Sequence, residues 1–441
     1  MLALAAIPTQ AGAQAAATDD RPDRDLGATL APANLPPARA VTLAEAFELA
    51  TKHASDLRTA TLAIDRAEAA ERTALAALLP SVTGNLSYTR WDREIERSGI
   101  VVRRQDTIGG TINVSENLSL RAWNATRTTD RAAEASAADL ANARRLVQAA
   151  VARAYFGELA ARRNSELSRT QFALAERQHR EVKARVDVGV AIGLDASRAE
   201  LAMLDAARRV SDADASLGRA QDLLGQAIGL DQPAQASDVP MPKPNETLDA
   251  YVKRALDARP DLRSARKQQE AADLAIDDAW FRFAPSLGIT WALTWTPQTT
   301  TFQPNATQWQ AIATLSIPFF DGGARYGALR DAKAALKQAE ERVVALKRSI
   351  RNDVRDAARR VETASRGFEF AQRSVEVARV AAEQAEAAYQ AGTVTGIELD
   401  DSREAQEEAE VTAILRALER ELAVVDLVAA LGDADAAKKK R

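Results

Sequence analysis

The residues whose types could support chemistry are carboxylates, and they concentrate near the carboxyl end of the chain. Asp400 and Asp401 begin a run of acids that continues through Glu404, Glu407, Glu408 and Glu410. Such a group could bind a cation or exchange protons in general acid–base catalysis. Arg403 lies among the acids, which is typical of an ion-paired, solvated helix face. We therefore interpret the run as surface charge.

Other residues that catalysis, cofactors or metals would need are scarce. The chain has no cysteine and only two histidines, His53 and His179. Thiol catalysis, disulfides and cysteine-ligated zinc are therefore excluded. The sequence also lacks a nucleophile elbow, a phosphate-binding glycine loop and a His-Glu-x-x-His motif. The sequence predicts no enzyme, no cofactor and no metal site. A net charge of −4 argues against a nucleic-acid-binding protein.

Proline placement predicts that the elements carrying these acids are long helices. None of the 15 prolines lies between Pro80 and Pro233, and none follows Pro318. Interior prolines break helices, and strong helix formers dominate both runs. Helices predicted at ~121–188 and ~324–391 would each be about 100 Å long. A compact globule does not accommodate such helices, so we expect an elongated assembly.

An internal repeat organises the chain. Thr42-Leu43, Asp56-Leu57-Arg58 and Pro80-Ser81 each recur 205 positions later, and Gly189 recurs as Gly392 after 203 positions. Each copy reads helix, strand, strand, long helix, helix, and we expect single helices at ~43–79 and ~248–284 to open the copies. The small, apolar beginning of the chain resembles a signal-peptide remnant. The predicted segments are the remnant 1–17, a lead-in 18–41, repeat one 42–230, a linker 231–246, repeat two 247–432 and a basic tail 433–441.

Four segments with period-two alternation predict strands, at ~81–91, ~106–116, ~286–296 and ~308–318. One face of each is apolar, and the other is rich in Thr, Ser and Asn. Their length suits a tilted strand that crosses a bilayer. A soluble antiparallel sheet with one wet face would show the same alternation. Aromatic residues in these segments are typical of a girdle at the lipid interface, and they are Tyr88, Trp91, Trp291, Trp295 and Trp309.

Four strands are too few to close a membrane barrel, because single-chain barrels begin at eight. An open edge in lipid leaves backbone groups unpaired at several kcal/mol each. Several chains must therefore contribute strands, two chains giving eight and three giving twelve. A hydroxyl-lined lumen favours the larger number.

Glycine turns join the predicted long helices to the helices that follow them. The turns are Gly189-Val190-Ala191-Ile192 and Gly392-Thr393-Val394-Thr395. Glycine supplies the left-handed residue just past a helix, and Thr395 with Glu398 predicts a capping box. A plain helical hairpin explains these residue types fully.

These features together resemble the TolC-like outer-membrane efflux family. The most specific signatures are Ile317-Pro318-Phe319-Phe320-Asp321-Gly322-Gly323 after the last strand and Tyr389-x-Ala-Gly-Thr at the second turn. The resemblance implies a mainly α fold with a β membrane part. It further implies a homotrimer whose 12-stranded β-barrel in the bacterial outer membrane continues as a long α-helical barrel, with most of the mass in the periplasm.

The same resemblance implies a function and partners. The chain would be the passive outer-membrane channel of a tripartite efflux or type I secretion system, in contact with outer-membrane lipid. It would work with a periplasmic adaptor (membrane fusion) protein and an inner-membrane transporter of the RND, ABC or MFS type. The two glycine turns would dock the adaptor, and Tyr389 would lie next to the gate. Acidic rings favouring cations would surround the tunnel entrance, formed by Asp195, Glu200, Glu398, Asp400 and Asp401.

Two rival interpretations come from other classes of protein. One is a soluble, elongated coiled-coil adaptor or scaffold in the periplasm, without a pore. The other is a barrel enzyme, which the lack of a polar catalytic constellation disfavours. Detergent dependence separates the first rival from a membrane channel.

Overall fold

The computed structural model describes residues 38–237, 246–298 and 305–432. The predicted signal-peptide remnant, most of the lead-in, the middle of the linker and the basic tail lie outside the described residues. The described chain forms two compact units. One consists of residues 165–215, and the other contains the remaining described residues.

The helices and strands follow the tandem order that the sequence predicts. β1 (Arg39–Val41) precedes repeat one, which comprises α1 (Leu43–His53), α2 (Ser55–Ala76), β2 (Ser81–Arg90), β3 (Ile95–Arg97), β4 (Ile100–Arg103), β5 (Asp106–Leu118), α3 (Leu120–Asp187) and α4 (Gly193–Ile228). The linker contains β6 (Ala234–Ala236), and repeat two comprises α5 (Leu248–Ala258), α6 (Pro260–Phe281), β7 (Ser286–Trp295), β8 (Thr307–Ser316), α7 (Ala324–Gln390) and α8 (Gly396–Leu431). None of the helices in the described ranges combines the length and apolar character that a bilayer span requires.

The helix that opens each repeat is broken, so the prediction of single helices over ~43–79 and ~248–284 is wrong. The backbone is extended at Ala54 and at Arg259, with ψ of 125° and 121°. In repeat two the cause is local, because Pro260 disfavours the helical conformation of the residue before it. Repeat one has Ser55 at that position, so its break has no equivalent proline signal.

Two strand pairs lie where the sequence predicts irregular chain. β1 pairs in parallel with β6, and Val41, Ala234 and Ala236 of this pair are buried. Three-residue strands are too short for period-two alternation to reveal. β3 and β4 form a hairpin in the charged loop of repeat one, and its turn places Ser98 and Gly99 at φ of 54° and 77°. Two positive φ values are typical of a tight hairpin turn.

The two repeats bury equivalent residues in the larger unit. In repeat one, Val151 of α3 packs in a cluster with Leu224 of α4. In repeat two, Val354 of α7 packs in a cluster with Leu427 of α8. Both equivalences have the 203-residue spacing that separates the glycine turns. Each long helix therefore packs on its own following helix in the same manner.

A buried ion-pair cluster lies at the break between α5 and α6. The Arg259 side chain is 8% exposed, and its Nη2 donates to Asp261 Oδ2 at 2.6 Å. Its Nη1 donates to Asp353 Oδ2 at 3.1 Å. Burial by itself raises the pKa of Asp261, but hydrogen bonds and charge from Arg259 outweigh burial and hold the pKa below its usual value.

Replacing Asp261 should change how stability depends on pH. Because its folded-state pKa is depressed, ionised Asp261 stabilises the fold fully above the ordinary aspartate pKa of about 4, and this stabilisation is lost as pH falls through the lowered value. We expect Asp261→Asn to lower the unfolding temperature at neutral pH and to reduce the further loss on acidification. Circular dichroism melts across this range measure both effects. Asp257→Asn, on the exposed side of α5, is the control, and equal acid sensitivity of Asp261→Asn and wild type would contradict the prediction.

Candidate functional site

Four strands form one antiparallel sheet in the order β2-β5-β7-β8. The register brings the predicted apolar positions of all four strands onto one face. Along one row, Val82 lies opposite Val114, Val114 lies opposite Trp291, and Trp291 lies opposite Ala311. Alternation within each strand thus becomes a continuous apolar face across the sheet.

The opposite face of the sheet is rich in hydroxyl and amide groups. A typical row pairs Thr83 with Asn113 and continues to Gln310 of β8. Ser87 Oγ donates to the Gly109 carbonyl at 3.3 Å, so a hydroxyl on this face also hydrogen-bonds the backbone of the neighbouring strand. A sheet with one apolar and one uncharged polar face can separate lipid from an aqueous lumen.

In the described chain, each edge strand of this sheet, β2 and β8, has a strand partner on one side only. All residues of β2 and β8 are exposed, and Leu86 of β2 is 79% exposed. The outward N–H and C=O groups of an edge strand form a template for pairing with another strand. In lipid such groups cannot remain unpaired. The sheet is therefore incomplete as a membrane-spanning structure until other copies pair with its edges.

Four of the five predicted girdle aromatics lie on the apolar face. Tyr88, Trp295 and Trp309 lie at the end of the sheet that carries the loops, and Trp291 lies nearer its middle. Tyr88 Oη donates to Asp106 Oδ1 at 2.7 Å. An aromatic ring with a hydrogen-bonded polar tip is suited to a membrane interface.

Trp91 departs from the predicted girdle. Its backbone N–H donates to the Gln105 carbonyl at 2.7 Å, which continues the β2–β5 ladder by one residue. Strand alternation then places its side chain on the face of Thr89, opposite to Tyr88. The Arg103 guanidinium lies over the Trp91 ring at 4.2 Å. Trp91 is three positions after Tyr88, so the alternation of β2 itself indicates the opposite face.

A second aromatic group, absent from the predicted girdle, lies at the helical end of the sheet. Phe319 and Phe320 are 87% and 89% exposed. Arg325 holds the turn that presents them, because its Nε bonds Asp321 at 2.9 Å and its Nη1 donates to the Pro318 carbonyl at 2.9 Å. The motif after the last strand was visible in the sequence, but a turn held by arginine was not. Other aromatics near this end are Trp123, Trp280, Phe283 and Tyr326.

The second glycine turn, in the larger unit, has the predicted caps. Gly392 adopts φ of 71°, and its N–H donates to the Tyr389 carbonyl at 3.0 Å. Thr395 and Glu398 form the capping box, with the Thr395 N–H donating to Glu398 Oε2 at 2.8 Å. The Tyr389 ring lies against Gly396 at the start of α8. An ion pair between Arg403 and Glu386 joins α8 to α7 above the turn.

The first glycine turn belongs to the unit of residues 165–215. Gly189 adopts φ of 77°, and the Val190 N–H donates to the Arg185 carbonyl at 2.8 Å. Val190 is 77% exposed, and Ile192 is also exposed. Ala191 completes the turn without a large side chain. Exposed apolar residues on a tight turn form a candidate surface for a partner.

The predicted entrance acids differ in their local roles. Asp195 is half-buried in the first turn of α4, and Glu200 is exposed one turn further on. Glu398 is committed to the capping box, whereas Asp400 and Asp401 extend from the exposed side of α8. No group of three potential metal ligands was found in residues 38–237, 246–298 and 305–432. Glu398 thus caps a helix, and the other four acids contribute negative charge to their own units.

Comparison with known proteins covers most of the chain. A family model described as outer membrane efflux protein matches residues 46–230 and 251–433, which are essentially the two repeats. The fusaric acid resistance protein FusA of Burkholderia cepacia is 27% identical over 299 residues, which cover 62% of this chain and 54% of FusA. The outer membrane protein TolC of Vibrio cholerae is 24% identical over 373 residues, covering 82% of this chain and 84% of TolC. The chain thus spans about half of FusA and most of TolC.

Solved structures share the fold. CusC superimposes with a TM-score of 0.79 at 20% identity, covering 88% of this chain and 92% of CusC. The CmeC outer membrane channel of Campylobacter jejuni gives a TM-score of 0.77 at 20% identity, covering 88% of this chain and 85% of CmeC. The tandem repeats, the four-stranded sheet and the family match agree, and the chain belongs to the outer membrane efflux protein family.

Proposed function

We propose that this chain is the channel of a tripartite efflux or type I secretion system and that it forms a passive homotrimeric duct. The observation that carries the proposal is the sheet with one apolar face, one hydroxyl-rich face and two unpaired edges. Three copies would pair these edges and close a 12-stranded barrel. The protein is located in the outer membrane, with its large helical part in the periplasm.

The rival adaptor or scaffold without a pore fits the sheet poorly. Such a protein would expose a broad apolar face and two open strand edges to water, and both features promote aggregation. Lipid on the apolar face and neighbouring copies on the edges remove both problems.

Mass and conductance measurements test the proposal directly. We expect the detergent-solubilised protein to have the mass of three chains by light scattering. We expect it to form water-filled channels in planar bilayers without an added energy source. A monomer that is stable in buffer without detergent and conducts no ions would overturn the proposal and favour the soluble rival.

We assign docking of a periplasmic adaptor to the two glycine turns, and the adaptor would link the channel to an inner-membrane transporter. The support is the exposure of Val190 and Ile192 at the first turn and the tight, capped backbone at the second. Because each turn joins two long helices, an adaptor that binds the turn would contact the ends of both helices.

Charge placed on the first turn should weaken adaptor binding. We expect Val190→Asp with Ile192→Asp to lower efflux-dependent resistance at least tenfold, because a charged side chain cannot be buried unpaired in an apolar contact. Growth with toxic substrates and adaptor pull-down measure the effect. Leu201→Asp, also exposed on α4 but outside the turn, is the control. Normal resistance and normal pull-down for the double variant would contradict the docking assignment.

Neutralising the second group of acids should reduce cation preference. We expect Asp400→Asn with Asp401→Asn to move the reversal potential in a salt gradient toward that of a nonselective pore, because three copies lose six charges near the entrance. Single-channel recordings measure the shift. Asp257→Asn, on α5, serves as the control. Anion preference in the unmodified channel would remove the acidic-ring hypothesis.

A further inference from the structure

One side of α7 carries cations that have no acidic partner among the described residues. Arg348 and Lys337 are both exposed, and neither takes part in an ion pair within the described ranges. Their side of α7 is turned away from the core that Ile350 and Val354 form with α5 and α8. Such a face can receive carbonyl or carboxylate groups from another surface.

The tandem repeat identifies what covers the face, because α3 is the equivalent of α7 in repeat one. Inside one chain, α3 packs on its own α4 and also contacts the helices of repeat two. Arg145 of α3 donates from Nη1 to the Ala429 carbonyl, near the end of α8, at 2.7 Å. Arg145 is only 9% exposed as a result. Lys267 of α6 pairs with Glu134 of α3 at 2.8 Å, so this contact extends along the helix.

The position equivalent to Arg145 in repeat two is Arg348, at the 203-residue spacing of the repeats. The position equivalent to Ala429 is Gln226, near the end of α4. The local backbone agrees, since the Gly432 N–H donates to the Ala429 carbonyl at 3.3 Å and the Gly229 N–H donates to the Gln226 carbonyl at 3.0 Å. Both carbonyls thus lie at the same place in a helix that ends with a glycine cap.

We propose that Arg348 binds the end of α4 in a second copy of this chain, through the carbonyl of the partner subunit's Gln226. This inference rests on the proposed trimeric channel and specifies its helical interface. Each copy would contribute Arg348 to one neighbour and the end of α4 to the other, so the contact is heterologous. Three such contacts close a ring of three copies. A cation at the carboxyl end of a helix also interacts favourably with the helix dipole.

Charge complementarity supports the same contact. In repeat two, Asp261 has an in-chain cation, Arg259. In repeat one the equivalent acid is Asp56, but Ala54 replaces the arginine. Asp56 is exposed, and no ion pair to it was found among the described residues. Arg348 supplies the missing charge when it lies over the partner subunit's Asp56.

A second pair lies about three helical turns away from Arg348. Lys337 is equivalent to Glu134, whose in-chain neighbours on α6 are Lys267 and Glu270. The position equivalent to Glu270 is Asp65 of α2. The position equivalent to Lys267 is Leu62, so the in-chain ion pair itself has no counterpart, but Lys337 lies close to the partner subunit's Asp65 in this arrangement. Exposed ion pairs contribute little individually, so the contact at the helix end is the better one to test.

Cross-linking tests the contact cleanly because the chain has no cysteine. Arg348→Cys with Gln226→Cys is treated with a short bis-maleimide, since an arginine side chain spans a gap too wide for a disulfide. We expect covalent dimers and trimers on denaturing gels. Arg342→Cys with Gln226→Cys is the matched negative control, because the equivalent of Arg342 is Asp139, which is exposed on α3. Arg145→Cys with Ala429→Cys should give only a cross-link within one chain.

A charge exchange gives a second readout. We expect Arg348→Asp and Asp56→Arg each to reduce the fraction of detergent-resistant trimer about tenfold, and the combined variant to restore most of it. Arg342→Asp should leave the trimer fraction unchanged.

Light scattering on the untreated protein separates the two possible failures. If the protein has the mass of three copies but gives neither the 348–226 cross-link nor rescue by the charge exchange, this interface is overturned and the proposed channel stays intact. A mass of one copy would overturn both.

Discussion

Leu86→Arg is expected to abolish assembly of the channel in the outer membrane. Leu86 lies in the middle of β2, on the apolar face of the sheet, and is 79% exposed in the single chain. An arginine on the lipid face near the bilayer midplane costs about 2–4 kcal/mol. A trimer carries the change three times, so the total cost is comparable to the whole stability of an ordinary domain. Heat-resistant trimer in isolated outer membranes measures the loss.

The neighbouring residue provides a matched control. Asn85 precedes Leu86 in the same strand and lies on the hydroxyl-rich face, where Thr111 is its partner in β5. Asn85→Arg should therefore assemble normally, and its added positive charge should change the ion selectivity of the pore. If Leu86→Arg assembled as well as Asn85→Arg, the apolar face could not be the lipid face.

Gly229→Ala should strongly destabilise the helical part. Gly229 ends α4 with φ of 77°, and an added Cβ would lie 2.6 Å from the Cβ of His53. The left-handed conformation costs an L-residue about 1–2 kcal/mol, and overpacking adds about 1–3 kcal/mol. We expect a loss of several degrees in the unfolding temperature, measured by circular dichroism in detergent.

Gly218→Ala is the control for this change. Gly218 lies inside α4, and nothing lies within 4 Å of the position of an added Cβ. Alanine is favoured over glycine in a helix interior by roughly 1 kcal/mol, so Gly218→Ala should raise the unfolding temperature. The prediction fails if the two variants shift stability in the same direction, because local strain at Gly229 would then be unimportant.

The long helices and the membrane strands could be predicted because their signals are local and extended. The segment predicted at ~324–391 is observed as Ala324–Gln390, since proline-free runs of good helix formers leave few alternatives. Period-two alternation also predicted which side chains share a face of the sheet. The capping box of Thr395 and Glu398 was recognisable because its two residues are three positions apart.

The remaining features depend on contacts that are distant in sequence. The break at Ala54 allows the end of α4 to approach His53, a contact across more than 170 residues that no local pattern signals. Trp91 leaves the predicted girdle because the β2–β5 ladder continues for one residue past the strand. The break at Ala54 follows from packing that a sequence pattern does not contain, whereas the face of Trp91 follows from strand alternation. Pro260, in contrast, was a local signal for the second break.

The parallel pair of β1 and β6 has a consequence for folding order. Arg39–Val41 and Ala234–Ala236 flank repeat one, so their hydrogen bonds fasten its beginning to its end. The pair closes a loop of nearly two hundred residues, and that closure is entropically unfavourable until the intervening helices have been placed. The β1–β6 pair should therefore form late in folding, after the helices of repeat one have packed. Deleting the short strand before α1 would then release both ends of that repeat together.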